Sequence, residues 1–88
     1  MGKPIHFTEH AREQMKARNA TEEEVIEAIK MGHRQPAEGG RFTASRTFSF
    51  DKEHYGRYYA IKEVVPIFTE ERDRIVVITV YTFFSQRR

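Results

Sequence analysis

The chain has 88 residues, 39% hydrophobic and 32% charged, with seven phenylalanines, four tyrosines, no cysteine and a formal net charge of +2. That length holds one domain with one modest core, here residues 1–88, and the composition excludes a disordered chain, a disulfide framework, a thiolate nucleophile and a cysteine-based metal site. No apolar run nears the roughly 20 residues of a membrane span and the N-terminus has no apolar signal-peptide core, so a soluble, unprocessed, cytoplasmic protein without membrane association is expected.

Thr8 is a natural helix N-cap, and the pattern that follows predicts a first helix over Glu9–Arg18, with Ala11 and Met15 one turn apart on its apolar side. Asn19, tolerant of the left-handed conformation, stops it. Thr21 with Glu24 three positions later reads as a capping box, Glu22 and Glu23 suit the positive first turn, and Val25, Ile26, Ala28 and Ile29 recur at helical spacing up to Gly32. Beyond Gly32 the periodicity becomes alternating. Gly39-Gly40 marks a turn between a short strand at 34–38 and a longer one at 41–50, whose Phe42, Ala44, Phe48 and Phe50 share a face opposite Thr43, Ser45, Thr47 and Ser49. A connection at 51–56 leads to a strand at 57–68, in which Pro66 suggests a bulge or an end. A polar turn at 70–73 then precedes a strand at 75–84, apolar on both faces and so read as central. The expected fold is α+β: two N-terminal helices packed on a three- to four-stranded antiparallel sheet.

His10 stands in the first helical turn beside Arg12 and Arg18, where an imidazole is a candidate proton acceptor for phosphate-ester chemistry. Its alternative role is to line the helix–sheet interface. His10, Gln14 and Arg18 follow at four-residue spacing and form a polar row. On the last strand strict alternation puts Ile75, Val77, Thr79, Tyr81 and Phe83 on one face, which lines up the hydroxyls of Thr79 and Tyr81. A hydroxyl, a phenol and an imidazole together have the functional groups to bind and cleave a phosphodiester. Positive charge gathers in the first helix, in the middle strands at Arg41, Arg46, Lys52, Arg57 and Lys62, and in the tail at Arg87 and Arg88, a distribution that presents a basic face to phosphates or else an ordinary solvated surface. His6 and His10 straddle the Thr8 cap and need not converge, and no Gly-rich phosphate loop is readable, so neither a metal nor a cofactor is expected.

The stretch from His10 to Arg18, followed by Thr21-Glu22-Glu23-Glu24-Val25, resembles the opening of the bacterial domain-of-unknown-function family four-two-five-eight. The ending from Arg74 to Tyr81 resembles that family's closing strand, whose pattern finishes Thr-x-Tyr. Asn19-Ala20 stands where that pattern has Gly and an aliphatic residue, and residues 63–68 lengthen the third strand. In element order the family is similar to the RelE/ParE-like toxins and the wider barnase–colicin–RelE ribonuclease group. The resemblance implies a RelE/ParE toxin-like domain and a metal-independent endoribonuclease, in which the 2′-hydroxyl attacks the adjacent phosphate. On that reading His10, Arg18, Thr79 and Tyr81 are catalytic, Arg12, Arg46 and Lys62 hold phosphate, and Tyr55, Tyr58 and Tyr59 stack on unpaired bases. The rival is a non-catalytic module whose sheet holds a protein partner, since toxins of this shape are neutralised by an antitoxin segment. RNA and an antitoxin-type protein are therefore the two partners to weigh; oligomeric state is not readable.

Overall fold

The same chemistry opens both helices in the computed structural model, which describes residues 2–86. The Thr8 hydroxyl accepts from the Ala11 N–H at 3.0 Å and starts α1 (Glu9–Arg18). Asn19 closes it in the left-handed region at φ 63°. Thr21 and Glu24 form the reciprocal capping box at 3.1 and 3.0 Å and start α2 (Glu22–Met31). Gly32 follows because α2 ends hard against the sheet: a Cβ there would collide with the carbonyl oxygens of Ser45 and Ala28.

The sheet differs from the expected one. It has five strands, β1 (Ile5–Phe7), β2 (His33–Ala37), β3 (Arg41–His54), β4 (Arg57–Glu70) and β5 (Ile75–Ser85), in the order β1-β5-β4-β3-β2. β1 runs parallel to β5 through Ile5↔Ile75, His6↔Val76 and Phe7↔Val77, while the other pairings are antiparallel. The sheet is thus mixed, and the expectation of three or four purely antiparallel strands is overturned, although the α+β class stands. Three residues are too few to show an alternation of their own, and their partner lies seventy residues away in sequence. The central strand is β4, not β5.

The long hairpin extends past the expected end of its first strand. β3 continues to His54 because the turn is only Tyr55-Gly56, both at positive φ (53° and 78°), the two-residue geometry that matches strand twist. An extra residue near Asp51, itself at φ 51°, shifts the register from Ser49↔Ile61 to Lys52↔Tyr59. Pro66 sits inside β4, opposite Val80, where the pairing with β3 lapses between Thr43↔Ile67 and Arg46↔Val64; it has no N–H to give there. At the outer edge Pro36 likewise leaves β2 one donor short, which blunts an exposed strand against edge-to-edge pairing.

Both helices cover one face of this sheet. Ala11, Met15, Val25 and Ile29 pack onto Ala44, Val64, Phe68, Ile75, Val77 and Val80, with Phe42 and Phe48 half-buried beside them. No helix among the described residues is long and apolar enough to cross a membrane. Arg87 and Arg88, the basic tail, lie outside the described residues.

Candidate functional site at the α1–β5 seam

β1 covers the outer edge of β5 only as far as Val77, and α1 takes over from there. The Thr8 N–H donates to the Val77 carbonyl at 3.1 Å and the Thr8 hydroxyl to the Ile78 carbonyl at 3.2 Å. At the other end of the helix the Arg18 guanidinium donates to the Val80 carbonyl at 2.9 Å, and the Thr82 hydroxyl donates to the Arg18 carbonyl at 2.9 Å. Side chains thus satisfy an edge that backbone pairing leaves open.

A bulge decides which β5 side chains face where. Ile67 pairs with Thr79 but Phe68 with Val77, so Ile78 is an extra residue and the alternation changes phase across it. Ile75 and Val77 join Val80 in the core under the helices. Thr79, Tyr81 and Phe83 turn to the opposite, uncovered face, so strict alternation from 75 to 83 does not hold. Thr79 and Tyr81 do share a face, and Phe83, 57% exposed, continues it.

Arg18 links the two sides. Its guanidinium carbon lies 4.7 Å from the centroid of the Tyr81 ring while Nη1 holds the Val80 carbonyl. This part-buried cation is fixed at two points beside the exposed phenol, and Thr79 lies two residues away on the same face. His10 occupies the first turn of the same helix and is exposed; it does not line the helix–sheet interface. Eight residues separate it from Arg18, about 12 Å along the axis at 1.5 Å per residue. The contacts therefore bring Arg18 and Tyr81 together, with Thr79 on the same face and His10 farther along the α1 row.

The remaining candidates are engaged elsewhere. Lys62, 3% exposed, lies on the helix-covered face and donates at 2.7 Å both to the Asn19 carbonyl and to the Glu24 carboxylate. Arg46 is on that face too, paired with Glu27 at 2.7 Å and bonded to the Met31 carbonyl at 3.4 Å. Arg12 pairs with Glu22 and lies over the Phe7 ring at 5.2 Å. Of the tyrosines read as base-stacking, Tyr55 donates its hydroxyl to the Ala17 carbonyl at 3.0 Å and Tyr59 packs 5.3 Å from Phe84. The Tyr58 hydroxyl donates to Asp51 at 2.8 Å, and that bond pushes its phenol above the ordinary value. Sequence parity already put Phe83 on the face of Thr79 and Tyr81 and set Thr43, Ser45, Thr47 and Ser49 opposite the core face, but only the strand pairing joins the two rows on one uncovered face. Among the described residues no three His, Asp or Glu side chains group as metal ligands.

The seam runs from Thr8 to Thr82, and a family model described as Domain of unknown function (DUF4258) matches residues 7–82, the whole of it. The chain belongs to that family. No curated protein and no solved structure matches it. His10, Arg18, Thr79 and Tyr81 of this DUF4258 protein all fall inside the family match.

Proposed function

We propose that this DUF4258 protein binds single-stranded RNA along the α1–β5 seam and cuts it without a metal, in the manner of a toxin-type endoribonuclease. The observation that carries the reading is the Arg18 guanidinium held over the Tyr81 ring with Thr79 on the same face. A fixed cation beside an exposed ring and a hydroxyl supplies a phosphate contact, a stacking surface and a proton donor within one patch. The 2′- and 5′-oxygens flank one phosphorus, so the step requires RNA binding to bring the His10 ring along the α1 row to the phosphate held at Arg18: His10 takes the proton of the 2′-hydroxyl as its oxygen bonds to phosphorus, the bond from phosphorus to the 5′-oxygen breaks, and Tyr81 returns a proton to that oxygen. The toxin-type assignment rests on the resemblance of the two ends of the chain.

The test is incubation of labelled structured and unstructured RNA with the purified protein in EDTA. Wild type should cut; His10→Ala should lose roughly a hundredfold or more in rate while still binding, the range for a general acid or base. Tyr81→Phe separates stacking from proton transfer. Binding should weaken with salt at a slope of about −0.7 per phosphate contact.

A second reading is favoured by the fate of the other cations. With Arg46 and Lys62 tied to α2 on the covered face, the open face offers hydroxyls, Ile67, Tyr81 and Phe83, which suits an antitoxin-type protein segment. Wild type that leaves every RNA intact in EDTA and binds an extended peptide with apolar side chains tightly on the open face would establish this reading instead.

A further inference from the structure

On the helix-covered side, away from the α1–β5 seam, the layers part. Between the C-terminal half of α2, β1 and the β4–β5 end of the sheet lies a groove of about 470 Å³. That is the size of a small-molecule site. Ile5, Ile29 and Ile75 make its apolar lining, and Lys3, Lys30 and Arg34 stand round it with one carboxylate, Glu70. Three cations against one anion leave the rim two charges positive.

Two of the three cations, Lys3 and Arg34, already have partners before any ligand arrives, while Lys30 is exposed. Arg34 lies 5.0 Å from the Phe68 ring and 5.6 Å from that of Phe42, and its Nη1 donates to Glu70 at 2.7 Å. Lys3 is 3.2 Å from the other Glu70 oxygen and donates to the Glu71 carbonyl at 2.6 Å. The negative end of α2 points towards this region, but Arg46 bonds the Met31 carbonyl there and offsets it. Glu70 acts as an internal counter-ion. Its side chain and those of Lys3 and Arg34 are all about a third exposed, at 31%, 36% and 38%, so its two ion pairs contribute little and are readily exchanged. A group carrying its own negative charge can then meet the same donors, with the isoleucines receiving whatever apolar body it bears.

We propose that this groove is a binding site for a small organic anion with an aliphatic body, its phosphate or carboxylate head held by Lys3, Lys30 and Arg34 and its tail laid on Ile5, Ile29 and Ile75. The two sources of such a head are separated by titrating the protein with hexyl phosphate and with hexanoate while following amide shifts by NMR. Inorganic phosphate tests the head alone and hexanol the tail alone. At least one of the two amphiphiles should bind saturably, at least tenfold tighter than inorganic phosphate or hexanol, with the shifts centred on Lys3, Ile5, Lys30 and Ile75. Glu70→Gln, which removes the competing carboxylate, should tighten binding several-fold. A doubly substituted Lys3→Gln, Lys30→Gln chain, checked for an unchanged fold by its amide spectrum, should lose it. Saturable binding of neither amphiphile up to 10 mM, shifts centred on the open face instead, or weaker binding by Glu70→Gln would overturn the proposal.

Discussion

On the covered face of the sheet Lys62 and Arg46 reach up from β4 and β3 and end on the α2 carboxylates of Glu24 and Glu27; at the open face Arg18 comes round the β5 edge and rests on an exposed ring. The residue types are alike, but their surroundings give them opposite roles. Lys62, only 3% exposed, must be neutralised by a fixed partner, because desolvation of an unpaired charge costs several kcal/mol, whereas Arg46, with its side chain 35% exposed, is held only loosely by Glu27. A cation at the rim keeps contact with water, so a phosphate can reach it. Basic residues on a small sheet are therefore sorted by face before they are sorted by charge.

The largest expected effect tests the division of faces itself. Phe68 is fully buried under the helices, so Phe68→Ala should cost about 3–5 kcal/mol. Phe83 is the same residue type on the open side of the adjacent strand β5, and Phe83→Ala should change stability by no more than about 0.5 kcal/mol. Urea denaturation of both variants, with the m-value checked for constancy, measures the contrast. Equal losses would mean that the open face is buried in solution and that the two faces do not differ as described.

A second pair of variants isolates the buried cation. Glu24→Ala leaves Lys62 with only the Asn19 carbonyl and also removes half of the capping box, so a loss of about 3 kcal/mol is expected. Lys62→Met removes the charge and keeps an apolar stem beside Phe50, whose ring lies 5.1 Å from the ammonium, so the cost should stay near or below about 1 kcal/mol. If Lys62→Met were the costlier of the two, the ion pair would be contributing net stability rather than relieving a buried charge.

These pairs also show what was legible in the sequence. Thr8, Asn19, Thr21 and Glu24 announced both helices to the residue because capping is local chemistry, settled within four positions of the chain. β1 was invisible because its signal is a pairing of three residues with a strand near the other end. Tyr55-Gly56 was hidden inside a polar stretch that reads as a longer connection. The site was half legible: Thr79 and Tyr81 do share the open face, yet the Ile78 bulge moves Ile75 and Val77 to the other side, and bulges leave no mark in composition. Arg46 interrupts the apolar face of Phe42, Ala44, Phe48 and Phe50, yet it and Lys62 read as phosphate ligands on the strength of the ribonuclease resemblance. Their partners, Glu24 and Glu27, sit in a helix whose placement over β3 and β4 only the fold supplies.

The smallest effect lies where covered face and rim meet, at Glu70. Hydrogen bonds from Lys3 and then Arg34 hold its carboxyl below the ordinary value of 4.5. A carboxyl lowered on folding binds its proton less readily in the folded chain than in the unfolded one. Its contribution to stability is thus complete above the ordinary value and is lost as pH falls through the lower folded one. Glu70→Gln removes that dependence, so the decline in stability from pH 5 downwards should become slightly shallower, the small difference between the two chains being largest at pH 7 and vanishing at the acid end. Both ion pairs are partly exposed, so the difference should shrink further in high salt. Denaturation midpoints of wild type and Glu70→Gln between pH 3 and 7, at low and at high salt, measure it. Identical acid limbs at low salt would show that Lys3 and Arg34 do not hold the carboxylate in solution, and the cations of this rim would then belong with freely solvated charge, leaving Lys62 as the fixed one.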